Sequence, residues 1–384
     1  MKAIAFYLPQ FHPIPENDRW WGPGFTEWTN VAKARPRFKG HYQPHIPADL
    51  GFYDLRLRET REDQAALAQR YGISGFCYYH YWFNGKLLLE KPAQAMLEEG
   101  TPNFPFCFCW ANETWSRRWD GQEQEILVAQ DLLNYDPQAH FAYLGKAFTD
   151  ARYIRVDGKP VFIVYRIDQF PDIAATTAQW RKAAADLKMP GIYLCAVRSH
   201  MHTLSDEETI AMGFDAIVGF EPHSRTMLRQ STLGYLHYLL PRTINYFVRR
   251  LGLGRYVPEF SVINRFDYRE LMRTATHAPA SEVTFFPSVI PSWDNAARRK
   301  SGATVIQNDD AQLFEQWLRD ASRRVEDYPA DQQLVFINAW NEWAEGCHLE
   351  PDQRNGHRFL EAVARVFIKD KSHAGERKED TLHD

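Results

Sequence analysis

Two carboxylates three residues apart, Glu342 and Glu345, are the side chains best suited to acid–base chemistry. They follow Leu334–Ile337, an apolar run that is too short for a helix and predicts a strand buried on both faces. If residues 341–346 form a helical turn, both carboxylates lie on one side with Cβ atoms about 5–6 Å apart. A carboxylate packed against an indole tends to keep its proton while a hydrogen-bonded neighbour stays ionised, which would give one acid and one base. Because tryptophans surround the pair and indole faces suit sugar rings, the segment indicates glycosidic chemistry.

Two alternatives for this pair stay open from the residues alone. Acidic side chains often occupy the first turn of a helix, so Glu342 and Glu345 could simply stabilise a helix N-terminus. They could also bind sugar hydroxyls in a non-catalytic glycan-binding barrel. The glycine that follows them, Gly346, allows the backbone to turn sharply after the pair.

Composition narrows the class of protein. The 384 residues carry a net charge of −4, which offers no general footprint for nucleic acid. Aromatic residues make up 14% of the chain, a surplus that suggests a ligand cleft. An odd number of cysteines argues against a disulfide framework, and we expect reduced core residues at Cys77, Cys107, Cys109, Cys195 and Cys347.

Eight runs have the length and apolar character of buried strands, and helical stretches separate most of them. They are residues 3–8, 73–81, 104–110, 160–165, 192–197, 214–219, 284–290 and 334–337. This alternation predicts an α/β fold, a single (β/α)8 TIM barrel, over residues 1–368. We expect a helical insertion after strand six and a charged, disordered tail at residues 369–384. The long loop after the first strand, rich in proline and aromatics, shows no regular pattern.

Polar and aromatic residues follow the carboxyl ends of these strands, where a barrel of this kind builds its active site. The candidate substrate-binding residues are His80, Trp110, Asn112, Glu113, Arg198, Trp293, Asp294, Trp340, Asn341 and Trp343. Each polar residue among them could have a structural role instead. Further possible sugar platforms are Trp20, Trp21, Trp28 and Trp115, although two or three of the tryptophans belong in the core.

Two other patterns have weaker chemical meanings. Asn112-Glu113 is similar to the Asn-Glu acid/base pair of other barrel glycosidases, but it follows the third predicted strand rather than the fourth. His200 and His202 alternate as metal ligands do, yet no third ligand is evident, so we expect no metal there.

The absence of a signal-peptide pattern and of a membrane-spanning run predicts where the protein is located. The first residues show no signal-peptide pattern, and no run of about 20 apolar residues could span a bilayer, so we expect a cytoplasmic protein. The segment 232–255 combines leucine and aromatic residues with Arg242, Arg249, Arg250 and Arg255. It predicts either a helical pair packed on the barrel or a surface that contacts anionic lipid.

Six segments together resemble a known family: residues 25–28, 39–44, 76–82, 109–113, 293–295 and 340–346. They are similar to the WbsX-type proteins of bacterial surface-polysaccharide gene clusters. That group in turn resembles glycoside hydrolase family 99, the endo-α-1,2-mannosidases and mannanases. The resemblance to the WbsX type covers nearly the whole chain and implies the same barrel fold, and we expect no cofactor.

The resemblance also implies a mechanism. Glu342 would take the proton of a sugar 2-hydroxyl, so that O2 attacks C1 and a 1,2-anhydro intermediate forms. Glu345 would protonate the leaving oxygen and later activate water. The implied partner is an α-linked oligosaccharide or polysaccharide, with a lipid-linked glycan as one form. Hydrolysis and transfer stay open, as does a glycosyltransferase role in O-antigen or exopolysaccharide assembly, although no Rossmann glycine signature or suitable Asp-x-Asp motif is present.

Overall fold

A ring of eight strands forms the centre of the computed structural model. The structure describes residues 1–117, 122–199, 202–223, 243, 244, 246–248, 250, 263–277, 281–299 and 302–368. Within these ranges the barrel strands are β1 (Lys2–Tyr7), β2 (Ile73–Phe83), β3 (Phe106–Trp110), β4 (Lys159–Val164), β5 (Tyr193–Arg198), β6 (Ala216–Gly219), β7 (Phe285–Phe286 and Ser288–Val289) and β8 (Leu334–Ile337). Each strand pairs in parallel with the next, and β8 pairs in parallel with β1. The predicted α/β barrel is confirmed.

Strand β7 departs from the single run that the sequence predicts. Pro287 divides it into two pieces, of which the first pairs with β6 and the second with β8. Proline has no N–H to donate to a sheet, but its carbonyl still accepts a 2.8 Å hydrogen bond from the Phe336 N–H. The interruption therefore leaves β7 paired on both sides, and the ring is not broken.

The helices pack around this ring. They are α1 (Pro15–Trp21), α2 (Glu27–Lys33), α3 (Arg58–Arg70), α4 (Lys91–Glu99), α5 (Pro137–Phe148), α6 (Ile173–Asp186), α7 (Asp206–Ala211), α8 (Tyr268–Thr276), α9 (Ala311–Arg323) and α10 (Arg358–Phe367). Helix α9 is amphipathic and buries Phe314, Trp317 and Leu318 on one face.

The loop after β1 contains α1 and α2, so the prediction of a long loop without regular structure was wrong. Pro15 occupies the first turn of α1, where its missing N–H costs nothing. Helix α2 begins with a capping box in which the side chains of Thr26 and Thr29 each accept from the other's backbone N–H. Both helices are seven residues long, and such short helices leave little periodicity for a sequence to reveal.

Short strands extend beyond the ring. Asp157-Gly158 forms a hairpin turn that pairs Arg155–Val156 with the start of β4. Trp115–Arg117 pairs with Gln122–Val128 in an outer hairpin after β3. After β7, a small sheet joins Trp293–Asp294, Ala303–Gln307 and Ile263–Asp267.

Several expectations concern residues that the structure does not describe. His200, the tail 369–384 and most of the segment 232–255 lie outside the described residues. Among those described, no helix is both long and apolar enough to cross a membrane. The five cysteines are free and buried, as expected.

Candidate active site

One arginine gathers three glutamates at the carboxyl end of the barrel. The Arg298 guanidinium lies 2.8 Å from a carboxylate oxygen of Glu342, 2.7 Å from Glu345 and 3.0 Å from Glu27. Its two terminal nitrogens hold Glu342 and Glu345, so the two predicted catalytic carboxylates lie side by side. Glu345 is the most exposed of the three glutamates, with 23% of its side chain accessible, whereas Glu27 is completely buried.

The segment after β8 that holds the predicted catalytic pair, residues 341–348, is a tight hairpin rather than the helical turn expected from the spacing, and we call it the catalytic hairpin after that prediction. Asn341–Glu342 pairs in antiparallel fashion with Cys347–His348, and Trp343–Glu345 forms a single 3-10 turn between them. Gly346 has a left-handed backbone, with φ of 55°, and a Cβ there would lie 2.9 Å from the Cβ of Asp294. The sharp turn predicted at Gly346 is confirmed, and close packing against Asp294 adds a second reason for glycine.

Asp294 helps to position Arg298 by fixing the turn that precedes it. Its carboxylate accepts from the Ala296 N–H at 2.9 Å and so caps the 3-10 turn Asn295–Ala297 that leads into Arg298. The other carboxylate oxygen contacts His41 at 2.6 Å and accepts from Gln43 at 2.7 Å. Burial alone would raise the pKa of Asp294, but these hydrogen bonds lower it below its ordinary value.

Electrostatics in the cluster favour protonation of Glu342. Burial raises its pKa from 4.5 to about 8, and the neighbouring charges of Glu345 and Glu27 add to the rise while Arg298 opposes it. Burial likewise raises the pKa of Glu27. Three carboxylates outnumber the one guanidinium, so the cluster holds a proton more readily than a simple ion pair would.

The two glutamates of the catalytic hairpin open into a cleft of about 450 Å³. Its walls combine aromatic and polar side chains, a composition suited to sugar rings and their hydroxyls. Besides Glu342 and Glu345, the lining includes Trp21, Tyr79, Tyr81, Glu113, Trp115, Tyr165, Phe220, Trp293, Asn295, Arg298 and Arg299.

Of the ten predicted substrate-binding residues, Glu113 and Trp293 line this cleft. Glu113 pairs with Arg166 at 2.8 Å, and Arg166 also pairs with Asp168 at 2.7 Å. A third of the Glu113 side chain is exposed. Glu113 and Trp293 therefore remain candidates for direct contact with a ligand.

Two predicted ligands, Asn112 and Asn341, instead tie strand ends together. Asn112 donates to the Arg166 carbonyl and accepts from the Arg166 N–H, both at 2.8 Å. Asn341 makes the same pair of bonds to Leu8, at 3.0 and 2.7 Å. Both asparagines are fully buried and do not line the cleft. The Asn112 amide thus links the segment after β3 to the end of β4, and the Asn341 amide links the catalytic hairpin to the end of β1. We call these two pairs of hydrogen bonds the asparagine clips.

Three aromatic predictions, Trp110, Trp340 and Trp343, lie in the core below the cleft with at most 1% exposure. Trp343 donates its Nε1–H to Glu350 at 2.6 Å and stacks on His348 with ring centroids 3.7 Å apart. It supports the catalytic hairpin from behind instead of presenting a face to the cleft.

His80 and Arg198 also lie away from the cleft lining. His80 is buried against His140, with the two Nε2 atoms 2.9 Å apart, and burial lowers the pKa of His80 to about 3. Arg198 pairs with Asp206 at 3.0 Å and covers the ring of Phe285. Asp294 is the remaining predicted residue outside the lining, since it is turned toward His41 and Gln43.

Other expectations can be compared with this arrangement. Among the possible platforms, Trp21 and Trp115 line the cleft, Trp28 is buried, and Trp20 packs edge to face on Trp115. His202 contacts the Thr209 hydroxyl at 3.0 Å.

Sequence reasoning missed Arg298 and Glu27, although signals for both were present. Glu27 lies within one of the six family-like segments, and Arg298 follows another by three residues. Tyr79, Tyr81 and Tyr165 were also missed as cleft residues. They sit at strand ends like the residues that were chosen, and alternation along β2 could have suggested that Tyr79 and Tyr81 share a face.

The barrel fold of this chain is also found among proteins described as glycoside hydrolases. One solved structure, a glycoside hydrolase-like protein, superposes with a TM-score of 0.58 over 96% of this chain and 94% of its own, at 13% identity. The GH99 endo-alpha-mannosidase from Bacteroides thetaiotaomicron superposes with a TM-score of 0.54 over 95% of both chains, at 14% identity. At such identities the likeness concerns the fold.

The family itself follows from the sequence match. Residues 3–363 match the family described as glycosyltransferase WbsX, and the chain belongs to this family. It is 40% identical over 367 residues to the WxcX protein of Xanthomonas campestris pv. campestris strain B100, and equally to that of a second strain. The match covers 95% of this chain and 49% of the relative, so the chain spans about half the length of these relatives. The family resemblance seen in the sequence is confirmed.

Proposed function

We propose that this protein is a retaining, endo-acting glycoside hydrolase or transglycosidase that acts on α-linked glycans of bacterial surface polysaccharide. The observation that supports this most is the binding of Glu342 and Glu345 to one guanidinium at an aromatic cleft of about 450 Å³. A helix cap would need neither the shared arginine nor the cleft. This arrangement suits acid–base work on a bound sugar.

The placement of the pair favours participation by the substrate. Ordinary retaining enzymes use two carboxyl groups about 5–5.5 Å apart that flank the scissile bond. Here Glu342 and Glu345 come from one hairpin and contact the same guanidinium, so they approach a sugar from one side. A substrate that supplies its own 2-hydroxyl as nucleophile removes the need for a carboxylate on the opposite face.

The proposed reaction has two steps. Ionised Glu342 takes the proton of the 2-hydroxyl as O2 attacks C1, while the C1 bond to the leaving oxygen breaks and Glu345 gives that oxygen a proton. In the second step Glu345 takes a proton from water, or from an acceptor hydroxyl, whose oxygen attacks C1. The C1–O2 bond then breaks and O2 regains its proton from Glu342. Two inversions at C1 give net retention.

The raised pKa of Glu342 is compatible with the base role. A pKa of about 8 makes this carboxylate more basic than an ordinary glutamate, although a smaller fraction is ionised at pH 7. Catalytic bases work best when their pKa lies near the working pH. The first step needs ionised Glu342 and protonated Glu345 together, so we expect activity to fall at both low and high pH.

The choice between hydrolysis and transfer depends on the acceptor. The family's description favours transfer to a sugar hydroxyl, and the cleft offers tryptophans on more than one wall on which an acceptor ring could stack. A lipid-linked glycan is one form that the donor could take.

Mass spectrometry of reaction products tests the proposal. Wild-type protein and the Glu345→Gln variant are incubated with α-linked oligosaccharides, including α-1,2-mannosides, with and without acceptor sugars. Shortened or lengthened glycans from the wild type alone are the expected result. Equal products from both proteins would exclude Glu345 from the chemistry, and sugar binding without turnover would support a glycan-binding barrel.

A substrate analogue tests the role of O2. Once a cleaved substrate is found, the same glycan lacking the 2-hydroxyl at the reacting sugar should not turn over. Comparable turnover of this 2-deoxy glycan would exclude the 1,2-anhydro route. Proton NMR of the first product formed should show the α-anomer.

A further inference from the structure

At the end of the catalytic hairpin, three buried side chains place nitrogen or oxygen atoms that could bind a metal close to one another. His45 Nδ1 and His348 Nε2 are 2.9 Å apart, and Asp352 Oδ2 is 3.8 Å from His348 Nε2. All three donor atoms lie within 4.8 Å of one another, and each residue is at most 7% exposed. None of the three lines the cleft.

Hydrogen bonds fix the direction of two of these donors. The Nδ1 of His348 contacts the Glu350 carbonyl at 2.8 Å, and because a carbonyl only accepts, Nδ1 carries the proton and Nε2 presents a lone pair. The Asp352 carboxylate accepts from the backbone N–H groups of Arg354 and Asn355, both at 2.7 Å, and from the Asn355 side chain at 3.0 Å. Such outer bonds are typical of histidines and carboxylates that bind metals.

The backbone holds the two contributing segments together. Ala48 N–H donates to the Pro351 carbonyl and Gln353 N–H donates to the Ile46 carbonyl, both at 2.9 Å. Pro47 and Asp352 form a bridge between these bonds. His45 and Asp352 are therefore brought together by the fold, and an ion would find its ligands already placed.

We propose that His45 Nδ1, His348 Nε2 and Asp352 Oδ2 bind a zinc ion. With sides of 2.9, 3.8 and at most 4.8 Å, the triangle of donor atoms has a point within about 2.4 Å of all three, close to zinc–ligand distances of about 2.0–2.2 Å. Two histidines and one carboxylate form a common zinc ligand set, which leaves a fourth place for water.

The ion would stabilise the catalytic hairpin without taking part in the chemistry. His348 stacks on Trp343, which lies between Glu342 and Glu345 in the chain. A metal that fixes the His348 ring therefore fixes the support of the hairpin. This role joins the loop after β1 to the segment after β8.

A simple hydrogen bond is the competing explanation. His45 could donate its Nδ1–H to the Nε2 of His348 at 2.9 Å with no ion present. That bond would leave Asp352 without a role toward the histidines, since 3.8 Å is too long for a hydrogen bond. Metal content separates the two explanations, and this readout does not depend on the proposed activity.

The test measures zinc bound to the chain. Protein purified without a metal-affinity tag is stripped with a chelator, incubated with Zn²⁺, freed of excess by gel filtration and analysed by mass spectrometry of the elements. About one zinc per chain is expected for the wild type, and the Asp352→Asn and His45→Ala variants should lose most of it. Zn²⁺ should also raise the melting temperature of the wild type but not of these variants.

A control uses a more exposed histidine–carboxylate contact elsewhere in the structure. His357 Nε2 lies 2.8 Å from Asp49 Oδ2, with no third ligand among the residues that the structure describes. The His357→Asn variant should keep its zinc. A wild type that binds no zinc, or an Asp352→Asn protein that is folded by circular dichroism and binds as much as the wild type, would overturn the proposal.

Discussion

The ends of β3 and β8 carry the same dipeptide, Asn-Glu, and use it differently. At both ends the asparagine clips its own segment to the backbone of a neighbouring strand end, and the glutamate lines the cleft and pairs with an arginine. Glu342 is nearly buried, with 7% of its side chain exposed, and shares Arg298 with two further carboxylates. Glu113 is 33% exposed and shares Arg166 with one, Asp168.

Glu342 and Glu113 differ in how deeply they are buried and in how many carboxylates share their arginine. Loss of water around Glu342 and two nearby carboxylates raise its pKa to about 8. Around Glu113, water screens the charges, and Arg166 has one carboxylate fewer to balance. The same dipeptide therefore provides a buried carboxylate of raised pKa at one strand end and a partly exposed ion pair at the other.

The largest expected difference concerns activity. Glu342→Gln should lower kcat/KM on the identified glycan by about 10²–10⁴, the usual contribution of a general acid or base. Glu113→Gln should lower it by less than about tenfold, since a residue that only binds substrate contributes one or two hydrogen bonds. Steady-state kinetics of the two variants measures this contrast, and equal losses would remove the distinction between the strand ends.

The two asparagine clips should matter similarly for stability. Asn341→Ala and Asn112→Ala each leave a buried N–H and carbonyl without a partner, which should lower the free energy of unfolding by about 1–3 kcal/mol. Urea denaturation monitored by tryptophan fluorescence measures the loss. Asn341→Ala should lower activity more than Asn112→Ala, because Glu342 is its neighbour in the chain. A stable Asn341→Ala protein with full activity would show that the clip does not position the base.

The pH dependence of stability sharpens the comparison further. The folded-state pKa of Glu342 is about 8 and its ordinary value 4.5, so its stabilising contribution is complete below about pH 4.5 and is lost as the pH rises through 8. Glu350, with a pKa of about 7, acts in the same direction. The free energy of unfolding should therefore fall toward pH 8, by at most about 1.4 kcal/mol per pH unit for each group.

Glu342→Gln should make this slope shallower, while Glu113→Gln should leave it unchanged. Urea titrations of the three proteins at several values between pH 5 and pH 8.5 give the slopes. Identical slopes for Glu342→Gln and the wild type would mean that Glu342 is already ionised over this range.

The smallest effect expected is a shift of the pH profile. The charge of Glu27 helps to raise the pKa of Glu342, so Glu27→Gln should move the acidic limb of kcat/KM to lower pH. Glu113→Gln serves as the control and should leave the limb in place. A limb that moves upward in Glu27→Gln would contradict the cluster as described.

The sequence predicted the parts of this molecule that depend on local pattern. Buried parallel strands are continuous apolar runs, so the eight strands and the barrel could be predicted from residues such as Leu334–Ile337. The Glu342 and Glu345 pair was found because both carboxylates lie in one short segment. The residues alone could not tell which of the two is the base and which the acid, and the family resemblance supplied that assignment.

The parts that the sequence could not predict depend on tertiary contacts. Arg298 lies 44 residues from Glu342 and 271 from Glu27, so its role as their shared partner has no local signal. Asn112 and Asn341 were predicted to bind sugars because both follow a strand. The sequence does not show whether an asparagine side chain is buried and bonded to the backbone, as these two are, or exposed to a substrate. Similarly, burial of Trp110 and Trp343 depends on what packs above them.

The parallel pairing of β1 with β8 has a consequence for the order of events during synthesis. Leu8 and Asn341 are 333 residues apart, so the ribosome completes β1 long before the segment that closes the ring beside it. Until residues 334–352 emerge, Arg298 and Glu27 have no Glu342 to bind, and the growing chain has an open barrel edge. Ring closure and the pairing of Arg298 with Glu342 and Glu345 thus depend on the same segment of the chain.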